Sequence, residues 1–192
     1  MIGVILAGGR SSRMGIDKAT VAVAGRPMIS WVAAALGQAC DELVVAGGTG
    51  TEDLPLLPDA LPAHRGPLAG LVTAMDTFPG AVLALVAVDQ PWLRTDTIRR
   101  LGTVAAGMAV APVEAGVRQT TCAIYPPTLA PLARQELDGE GSLQSLLDLA
   151  SFIPVVDWHE WGEDGRSWFS ADTPLSITEG MHRFGPPKGV SG

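Results

Sequence analysis

The order of hydrophobic and polar positions predicts that strands and helices alternate along most of the chain. Two continuous apolar runs, Ile2 to Leu6 and Val82 to Val88, are typical of strands covered on both faces of a sheet. A third run, Asp41 to Ala46, has a Leu-Val-Val centre of the same kind. Residues 27–39 carry apolar side chains at helical spacing, and a further helix is predicted to end near Phe78. This alternation predicts an α/β fold with a mostly parallel central sheet and helices on both faces.

The second half of the chain continues the alternation with weaker patterns. The predicted elements are a helix from Thr95 to Ala106, strands at Ala109–Val113 and Gln119–Tyr125, helices at Thr128–Leu137 and Ser142–Ala150, a strand at Phe152–Trp158, and a short helix starting at Asp172-Thr173-Pro174. Thr95 and Ser142 are predicted helix caps. No period continues from Gly180, so we expect one domain over residues 1–179 and a flexible tail over residues 180–192.

Polar and glycine residues are concentrated in the loop that follows the first strand. From Leu6 to Lys18 the chain reads Leu-Ala-Gly-Gly-Arg-Ser-Ser-Arg-Met-Gly-Ile-Asp-Lys. Glycines allow the backbone to approach phosphate oxygens, and Arg13 and Lys18 supply positive charge, so the loop suits a triphosphate. It has neither the dinucleotide spacing Gly-x-Gly-x-x-Gly nor the Walker spacing. The structural alternative is a Gly-rich connection between a strand and a helix.

Asp89 is the most informative single position. It ends the most apolar predicted strand, directly before Gln90-Pro91. A carboxylate at this edge of a parallel sheet is well placed to bind Mg2+ beside a triphosphate, because ligands bind beyond the carboxyl ends of such strands. The alternative is an aspartate that only starts a turn.

Composition and charge disfavour several classes of protein. The 192 residues carry a net charge of −7, which disfavours a protein that binds nucleic acid without sequence preference. Cys40 and Cys122 lie outside any metal-ligand spacing and are expected to be buried thiols. The longest apolar run, Ala81 to Val88, is far shorter than the ~20 residues of a membrane span. With no basic segment before the first strand, we expect no signal peptide and a soluble, cytoplasmic protein.

No residue pattern indicates a covalent nucleophile. The histidines lie outside every motif, and neither a Ser-His-Asp nor a Cys-His arrangement is apparent. Among the five tryptophans, Trp92 is the best placed to stack on a base or a pterin, because it follows Asp89 closely. The alternative for each tryptophan is a place in the core.

The Leu6–Lys18 motif, Leu-Ala-Gly-Gly-x-Ser-x-Arg-Met-Gly-x-Asp-Lys, resembles the signature loop of the nucleotidyltransferases related to molybdenum cofactor guanylyltransferase. The resemblance implies a three-layer, Rossmann-like fold of the nucleotide-diphospho-sugar transferase type. It also implies transfer of GMP from GTP to molybdopterin or Mo-molybdopterin, release of pyrophosphate, and Mg2+ as cofactor. Cytidylyltransferase relatives usually have Ala at the place of Gly8, so Gly8 favours GTP. Transient contacts with other cofactor-biosynthesis proteins or with acceptor enzymes also fit the resemblance.

The resemblance assigns roles to individual residues. Arg13, Lys18 and Asp89 are the expected catalytic residues, and Asp89 matches the family's metal-binding Asp-x-Pro. Asp172 is a second expected metal ligand, with a helix cap as its alternative role. Asp59 precedes Gly-Pro-Leu-Ala-Gly by seven residues, as in the family's nucleotide site, or it forms a turn after Pro58. The expected nucleotide-binding residues are Leu6, Ala7, Gly8, Gly9, Arg13, Lys18, Asp59 and Asp89.

Three departures from the family pattern keep other functions open. Ala46 stands where the family often has Asn, and Gly141 where a basic residue is frequent. Ser170-Ala171-Asp172 replaces the family's Asn-x-Asn before Thr-Pro. The alternatives are a cytidylyltransferase, a sugar-1-phosphate nucleotidyltransferase, and a catalytically weak accessory protein that binds nucleotides.

Overall fold

The computed structural model describes residues 1–8, 18–48, 53–57 and 66–188. The strands are β1 (Ile2–Leu6), β2 (Ala22–Val23), β3 (Arg26–Pro27), β4 (Glu42–Ala46), β5 (Leu83–Ala87), β6 (Ala109–Glu114), β7 (Val117–Arg118), β8 (Cys122–Tyr125) and β9 (Phe152–Val155). The helices are α1 (Met28–Leu36), α2 (Gly66–Thr77), α3 (Thr95–Val104), α4 (Ala130–Asp138), α5 (Leu143–Leu149) and α6 (Pro174–Phe184). Short 3-10 turns occur at Lys18–Thr20, Pro127–Leu129, Trp158–Trp161 and Arg166–Trp168.

The central sheet has a parallel core and one antiparallel insertion. Its strand order is β4-β1-β5-β8-β6-β7, and β9 pairs with β6. β1 is parallel to both β4 and β5, and β9 is parallel to β6. β8 runs antiparallel to β5 and β6, because a tight turn between β6 and β7 reverses the chain with Ala115 and Gly116 at φ 50° and 79°. The predicted α/β class with a mostly parallel core is confirmed.

Helices cover both faces of this sheet, which gives three layers. On one face, Val4 of β1 belongs to the same core cluster as Leu71 of α2 and the buried residues of α4 and α5. On the other face, Ile5 of β1 belongs to a cluster with Val32 of α1 and Ile98 of α3. Neighbouring residues of β1 therefore face opposite layers, as the period of two in a strand requires. In the described part of the chain, no helix is both long and apolar enough to cross a membrane.

A third core cluster holds the C-terminal helix against the site edge of the sheet. Trp92 is 3% exposed, its ring lies 5.7 Å from that of Phe169 and 5.9 Å from that of Phe184, and its Nε1 donates to the Gly185 carbonyl at 2.8 Å. Trp92 is thus a core residue, the more common role of a scattered tryptophan, and it is not placed to stack on a base or pterin. Residues 180–184 are helical and Phe184 is buried, so a flexible tail does not begin at residue 180.

Of the two predicted helix caps, Ser142 is confirmed and Thr95 is wrong. The Ser142 hydroxyl accepts a hydrogen bond from the Ser145 N–H at 3.1 Å, and the two residues form a reciprocal capping box, which confirms Ser142 as the cap of α5. Thr95 is not a cap. The N-cap position of α3 is Arg94, and the Thr95 hydroxyl donates to the Ala35 carbonyl at 2.8 Å, linking α3 to α1.

The loops that follow β1 and β4 touch through their glycine backbones. The Ala7 and Gly8 N–H groups both donate to the Ala46 carbonyl, at 3.0 and 3.2 Å. Gly47 has φ +76°, and a Cβ added there would lie 2.7 Å from the Gly8 Cα. Only glycine fits this contact, so the ends of β1 and β4 stay side by side beyond the strands.

We expect Gly47→Ala to destabilise the protein more than Gly25→Ala does. Both positions have positive φ, but a Cβ at Gly25 meets nothing within 4 Å. Gly25→Ala should therefore lose about 1–2 kcal/mol for the left-handed backbone alone. Gly47→Ala adds the clash with Gly8, for a total on the order of 3 kcal/mol. Urea denaturation measures both losses, and equal losses would contradict a structural role for the glycine contact.

Candidate active site

The site lies where the strand order changes direction. β1 has β4 on one side and β5 on the other, so the connections after these strands diverge and leave a crevice above β1. The Val88 N–H donates to the Leu6 carbonyl at 3.0 Å, which extends the pairing of β5 with β1 by one residue. The next residue, Asp89, therefore stands directly over the switch point, as the sequence predicts.

Lys18 and Asp89 meet at this point although they are 71 residues apart in the sequence. The Lys18 Nζ lies 3.0 Å from the Asp89 Oδ2, with 24% and 17% of the two side chains exposed. Lys18 begins the 3-10 turn whose next residue, Ala19, is buried on the face of α1. The structure thus brings together the predicted cation and the predicted carboxylate, at a place that a ligand can reach.

Gln90 fixes the connection that carries Asp89. Gln90 is 3% exposed; its Oε1 accepts from the Ala87 N–H, and its Nε2 donates to the Thr121 hydroxyl, both at 3.3 Å. These bonds tie the end of β5 to the residues that precede β8. Sequence reasoning did not assign a role to Gln90, because its partner Thr121 lies 31 residues away in the sequence.

Ser170 is a site residue that sequence reasoning missed. Its hydroxyl donates to the Asp89 Oδ2 at 3.0 Å, and the Ala171 N–H donates to the Asp89 backbone carbonyl at 2.7 Å. Asp89 Oδ2 therefore serves both Lys18 and Ser170, whereas Oδ1 has no partner among the described residues. The available signal was the position of Ser170 two residues before Asp172, in the segment that resembles Asn-x-Asn.

Asp172 is not the cap of α6. The N-cap is Thr173, whose hydroxyl accepts from the Ser176 N–H at 3.1 Å, in a reciprocal capping box with the Ser176 side chain. The alternative role as a helix cap is therefore wrong. Among the described residues, the Asp172 Oδ1 accepts a long contact of 3.4 Å from the Ser176 hydroxyl. Its carboxylate is half-buried and lies one residue past Ala171, which is bonded to the Asp89 loop.

The donor set fits a magnesium ion better than a soft transition metal. Within the described ranges, no group of three or more His, Cys, Asp or Glu side chains could hold a metal. Asp89, whose Oδ1 has no partner in the part of the chain that the structure describes, and Asp172 supply two carboxylates on adjoining segments. Mg2+ is typically held by one or two carboxylates together with substrate phosphates and water, so these residues fit that ion.

Three predicted site residues, Gly9, Arg13 and Asp59, lie outside the described residues and stay predictions. Leu6, Ala7 and Gly8 border the crevice at the end of β1. The Ala7 and Gly8 amides are engaged by the Ala46 carbonyl, so neither is free to donate to phosphate. These two residues shape the crevice rather than bind through their N–H groups.

A cavity of about 600 Å³ opens at the same edge of the sheet, on the face of α2 and α5. Its lining consists of Gly66, Pro67, Leu68, Thr120, Leu137, Glu140, Gly141, Ser142, Leu143 and Gln144. Thr120 is 8% exposed, and its hydroxyl has no partner among the described residues. Gly141, where the family often has a basic residue, borders the cavity, and the charged side chain of the described lining is Glu140.

The wall of this cavity is held by Arg118. Its Nε donates to the Gln144 Oε1 at 3.0 Å, and the Gln144 Nε2 donates back to the Arg118 carbonyl at 2.9 Å. The guanidinium also pairs with Asp148 at 2.7 Å. Arg118 is therefore used to fix Gln144, and it does not replace the missing basic residue at Gly141.

Neither cysteine can act as a nucleophile near neutral pH. Burial raises the pKa of Cys40 to about 12 and raises that of Cys122 above its usual range as well. Both thiols therefore stay protonated, and a thiolate is the reactive form.

Comparisons with known proteins agree with the fold. Residues 3–155 match the MobA-like NTP transferase domain. The chain is 43% identical over 122 residues to a probable molybdenum cofactor guanylyltransferase of Haloferax mediterranei, covering 57% of this chain and 58% of that protein. A molybdenum cofactor guanylyltransferase of Rhizobium rhizogenes is 41% identical, with 50% and 49% covered. The chain thus spans about half to three fifths of these two relatives. A probable molybdenum cofactor guanylyltransferase of Bacillus licheniformis is 34% identical, with 81% and 80% covered.

Solved structures show the same architecture. Molybdopterin-guanine dinucleotide biosynthesis protein A of Archaeoglobus fulgidus superposes with a TM-score of 0.78 at 20% identity, covering 95% of this chain and 97% of that one. A 2-C-methyl-D-erythritol 4-phosphate cytidylyltransferase of Thermus thermophilus superposes with a TM-score of 0.68 at 15% identity, covering 93% and 96%. Fold, site geometry and matched residues together show that the chain belongs to the family of MobA-like NTP transferase domains.

Proposed function

We propose that this protein transfers a GMP group from GTP to molybdopterin or Mo-molybdopterin and releases pyrophosphate. The observation that carries the proposal is the pairing of Lys18 with Asp89 at the switch point of the sheet. A cation and a metal-binding carboxylate at this place suit a nucleoside triphosphate. The names of the relatives support guanine as the base and a molybdenum cofactor precursor as the acceptor.

Binding of the triphosphate depends on a few cations in an acidic protein. The net charge is −7, so Lys18 and Arg13 provide a local positive site rather than part of a basic surface. Lys18 already pairs with Asp89, so a bound triphosphate would share or take over its ammonium group. Because charge builds up on the departing pyrophosphate, a fixed cation beside it lowers the barrier.

Asp89 and Asp172 would hold Mg2+, which supplies charge neutralisation on the phosphate oxygens when bound. Ser170 and Lys18 both bind the Asp89 Oδ2, and this arrangement directs Oδ1 away from them. The orientation of the carboxylate is thereby set before any ligand enters, which reduces the cost of ordering it on binding.

The reaction needs positioning and no enzyme nucleophile. A phosphate oxygen of the acceptor forms a bond to the α-phosphorus of GTP, and the bond from that phosphorus to the bridging oxygen of the β-phosphate breaks. An ionised phosphate carries no proton that a base must remove. The cavity beside Thr120 is the expected place for the acceptor, since it opens at the same edge as Asp89. Holding both substrates in line accounts for much of the expected acceleration.

Specific residues leave three other functions open. Ala46 at the end of β4 takes the place of a frequent Asn, which leaves a cytidylyltransferase or a sugar-1-phosphate nucleotidyltransferase as alternatives. Gly141 in the cavity lining takes the place of a frequent basic residue, which favours weak turnover in a nucleotide-binding accessory protein.

We expect Asp89→Ala to abolish GMP transfer while the protein stays folded. The change removes the carboxylate that binds Lys18 and Ser170 and that would hold the ion. The matched control is Asp157→Ala, which removes an exposed carboxylate that has no place among the proposed site residues. Pyrophosphate release with GTP, Mg2+ and molybdopterin measures activity, and circular dichroism verifies the fold. Mg2+-dependent turnover by Asp89→Ala would remove this carboxylate from the mechanism.

Lys18→Ala should cost about 2–4 kcal/mol in transition-state stabilisation, the range for loss of one fixed electrostatic donor. The control is Lys188→Ala, which removes the other, exposed lysine of the chain. The measurement is kcat/KM for GTP in both variants. If Lys18→Ala retains a rate near that of the wild type, Lys18 is only a solvated loop charge.

We expect GTP to be preferred when GTP and CTP compete for the same enzyme. Gly8, together with the relatives' names, favours the guanine nucleotide. Product analysis by mass spectrometry distinguishes the two dinucleotides. Equal use of both triphosphates would exclude the guanylyltransferase assignment, and GTP binding without pyrophosphate release would favour the accessory protein.

A further inference from the structure

Glu163 is a buried carboxylate outside the crevice. Its hydrogen bonds hold the segment of the chain that leads to the crevice. Glu163 is 4% exposed. Its Oε2 accepts from the hydroxyl groups of Thr97, in the first turn of α3, and of Ser167, the latter at 2.6 Å. Its Oε1 accepts from the backbone N–H groups of Asp164, Gly165 and Ser167 at 3.1, 3.0 and 3.3 Å. Five donors therefore surround one buried acid.

A carboxylate in this position is costly unless each oxygen is well bonded. Removing its charge from water carries a large penalty, and in the described part of the chain no salt bridge offsets it. The five hydrogen bonds to the charged group compensate, because such bonds are stronger than neutral ones. They also link two parts of the chain, since Thr97 lies on α3 and the other donors lie in the turn of residues 164–167.

The turn that Glu163 binds is hydrogen-bonded to one site segment and close in sequence to the other. The Ser167 hydroxyl accepts from the Arg94 N–H at 3.1 Å, five residues past Asp89. Three residues after Ser167, the Ser170 hydroxyl donates to the Asp89 Oδ2. Glu163 thus joins α3, which follows the Asp89 loop, to the turn that leads to Ser170. Ser170 in turn binds Asp89, so both segments are held relative to Asp89.

We propose that Glu163 is a positioning residue that sets the place of Asp172 relative to Asp89 across the metal site. It holds the 163–167 turn on α3, and that turn delivers the segment Ser170–Asp172 to the Asp89 loop. The capping box at Thr173 fixes the other end of the segment. The inference rests on the proposed function, in which Asp89 and Asp172 hold the ion.

The experiment compares Glu163→Gln with Glu160→Gln. Glu160 is an exposed glutamate three residues earlier in the same segment, so its change is chemically matched. Gln has nearly the same shape as Glu but replaces one acceptor oxygen by an NH2 group, which donates and cannot accept, so the donors facing that oxygen lose their partner. Three readouts are used: hydrogen–deuterium exchange of residues 169–172, Mn2+ binding in the presence of GTP, and the Mg2+ dependence of kcat.

We expect Glu163→Gln to speed exchange at residues 169–172 and to weaken Mn2+ binding on the order of ten-fold, as typical for groups that orient metal ligands. The Mg2+ concentration for half-maximal kcat should rise by a similar factor while KM for GTP changes less. Glu160→Gln should match the wild type in all three. If Glu163→Gln fails to fold, Thr97→Val, which removes one donor and keeps the carboxylate, is expected to give a smaller shift of the same kind.

A double-mutant cycle with Asp172→Ala distinguishes positioning from a general structural role. If Glu163 acts through Asp172, the effect of Glu163→Gln on Mn2+ affinity should largely disappear in the Asp172→Ala background. A lower unfolding midpoint with unchanged Mn2+ and Mg2+ dependence would overturn the proposal and leave the proposed function intact. Failure of the wild type to bind Mn2+ with GTP would instead overturn the metal site, and the positioning role with it.

Discussion

The hydrogen bonds to one oxygen, Oδ2 of Asp89, connect the parts of the chain on which the site depends. Lys18 approaches from the loop after β1, and Ser170 from the segment before α6. Asp89 itself stands over β1 because the pairing of β5 with β1 continues through Val88. Without the parallel placement of β1 between β4 and β5, these groups would not share an edge of the sheet.

The two sides of this edge have different chemical characters. The crevice above β1 has the Lys18–Asp89 pair and glycine-lined walls, which suits a charged phosphate chain. The cavity beside β8 has a buried threonine hydroxyl, and its described lining carries an acid rather than a base. The crevice therefore suits a phosphate donor, and the cavity suits the neutral polar part of an acceptor. This arrangement fits the proposed transfer reaction between the two.

The C-terminal segment contributes the second half of the site from a distance. Trp92 packs against Phe169 and Phe184, so α6 is fixed to the start of the β5–α3 connection. Glu163 fixes the preceding turn to α3 through Thr97. Both contacts act on the same short stretch, which explains how residues more than 80 positions after Asp89 reach it.

Local patterns determined much of the fold. The apolar runs that predict β1, β4 and β5 and the helical spacing that predicts α1 agree with the structure within a few residues, because buried strands and amphipathic helices leave a periodic record. The Leu6–Lys18 motif likewise predicts a phosphate site, and the end of the β5 run predicts its carboxylate; of these residues, the structure brings together Lys18 and Asp89.

Only the tertiary structure decided the features that depend on partners far away in sequence. The antiparallel direction of β8 follows from the turn after β6, and the burial of Trp92 follows from α6. Ser170 is a site residue only through its contact with Asp89. Thr173 caps α6, although the sequence analysis gives a helix cap as the alternative role of Asp172. A sequence records which side chains are available, whereas their contacts depend on which strands and segments the fold places side by side.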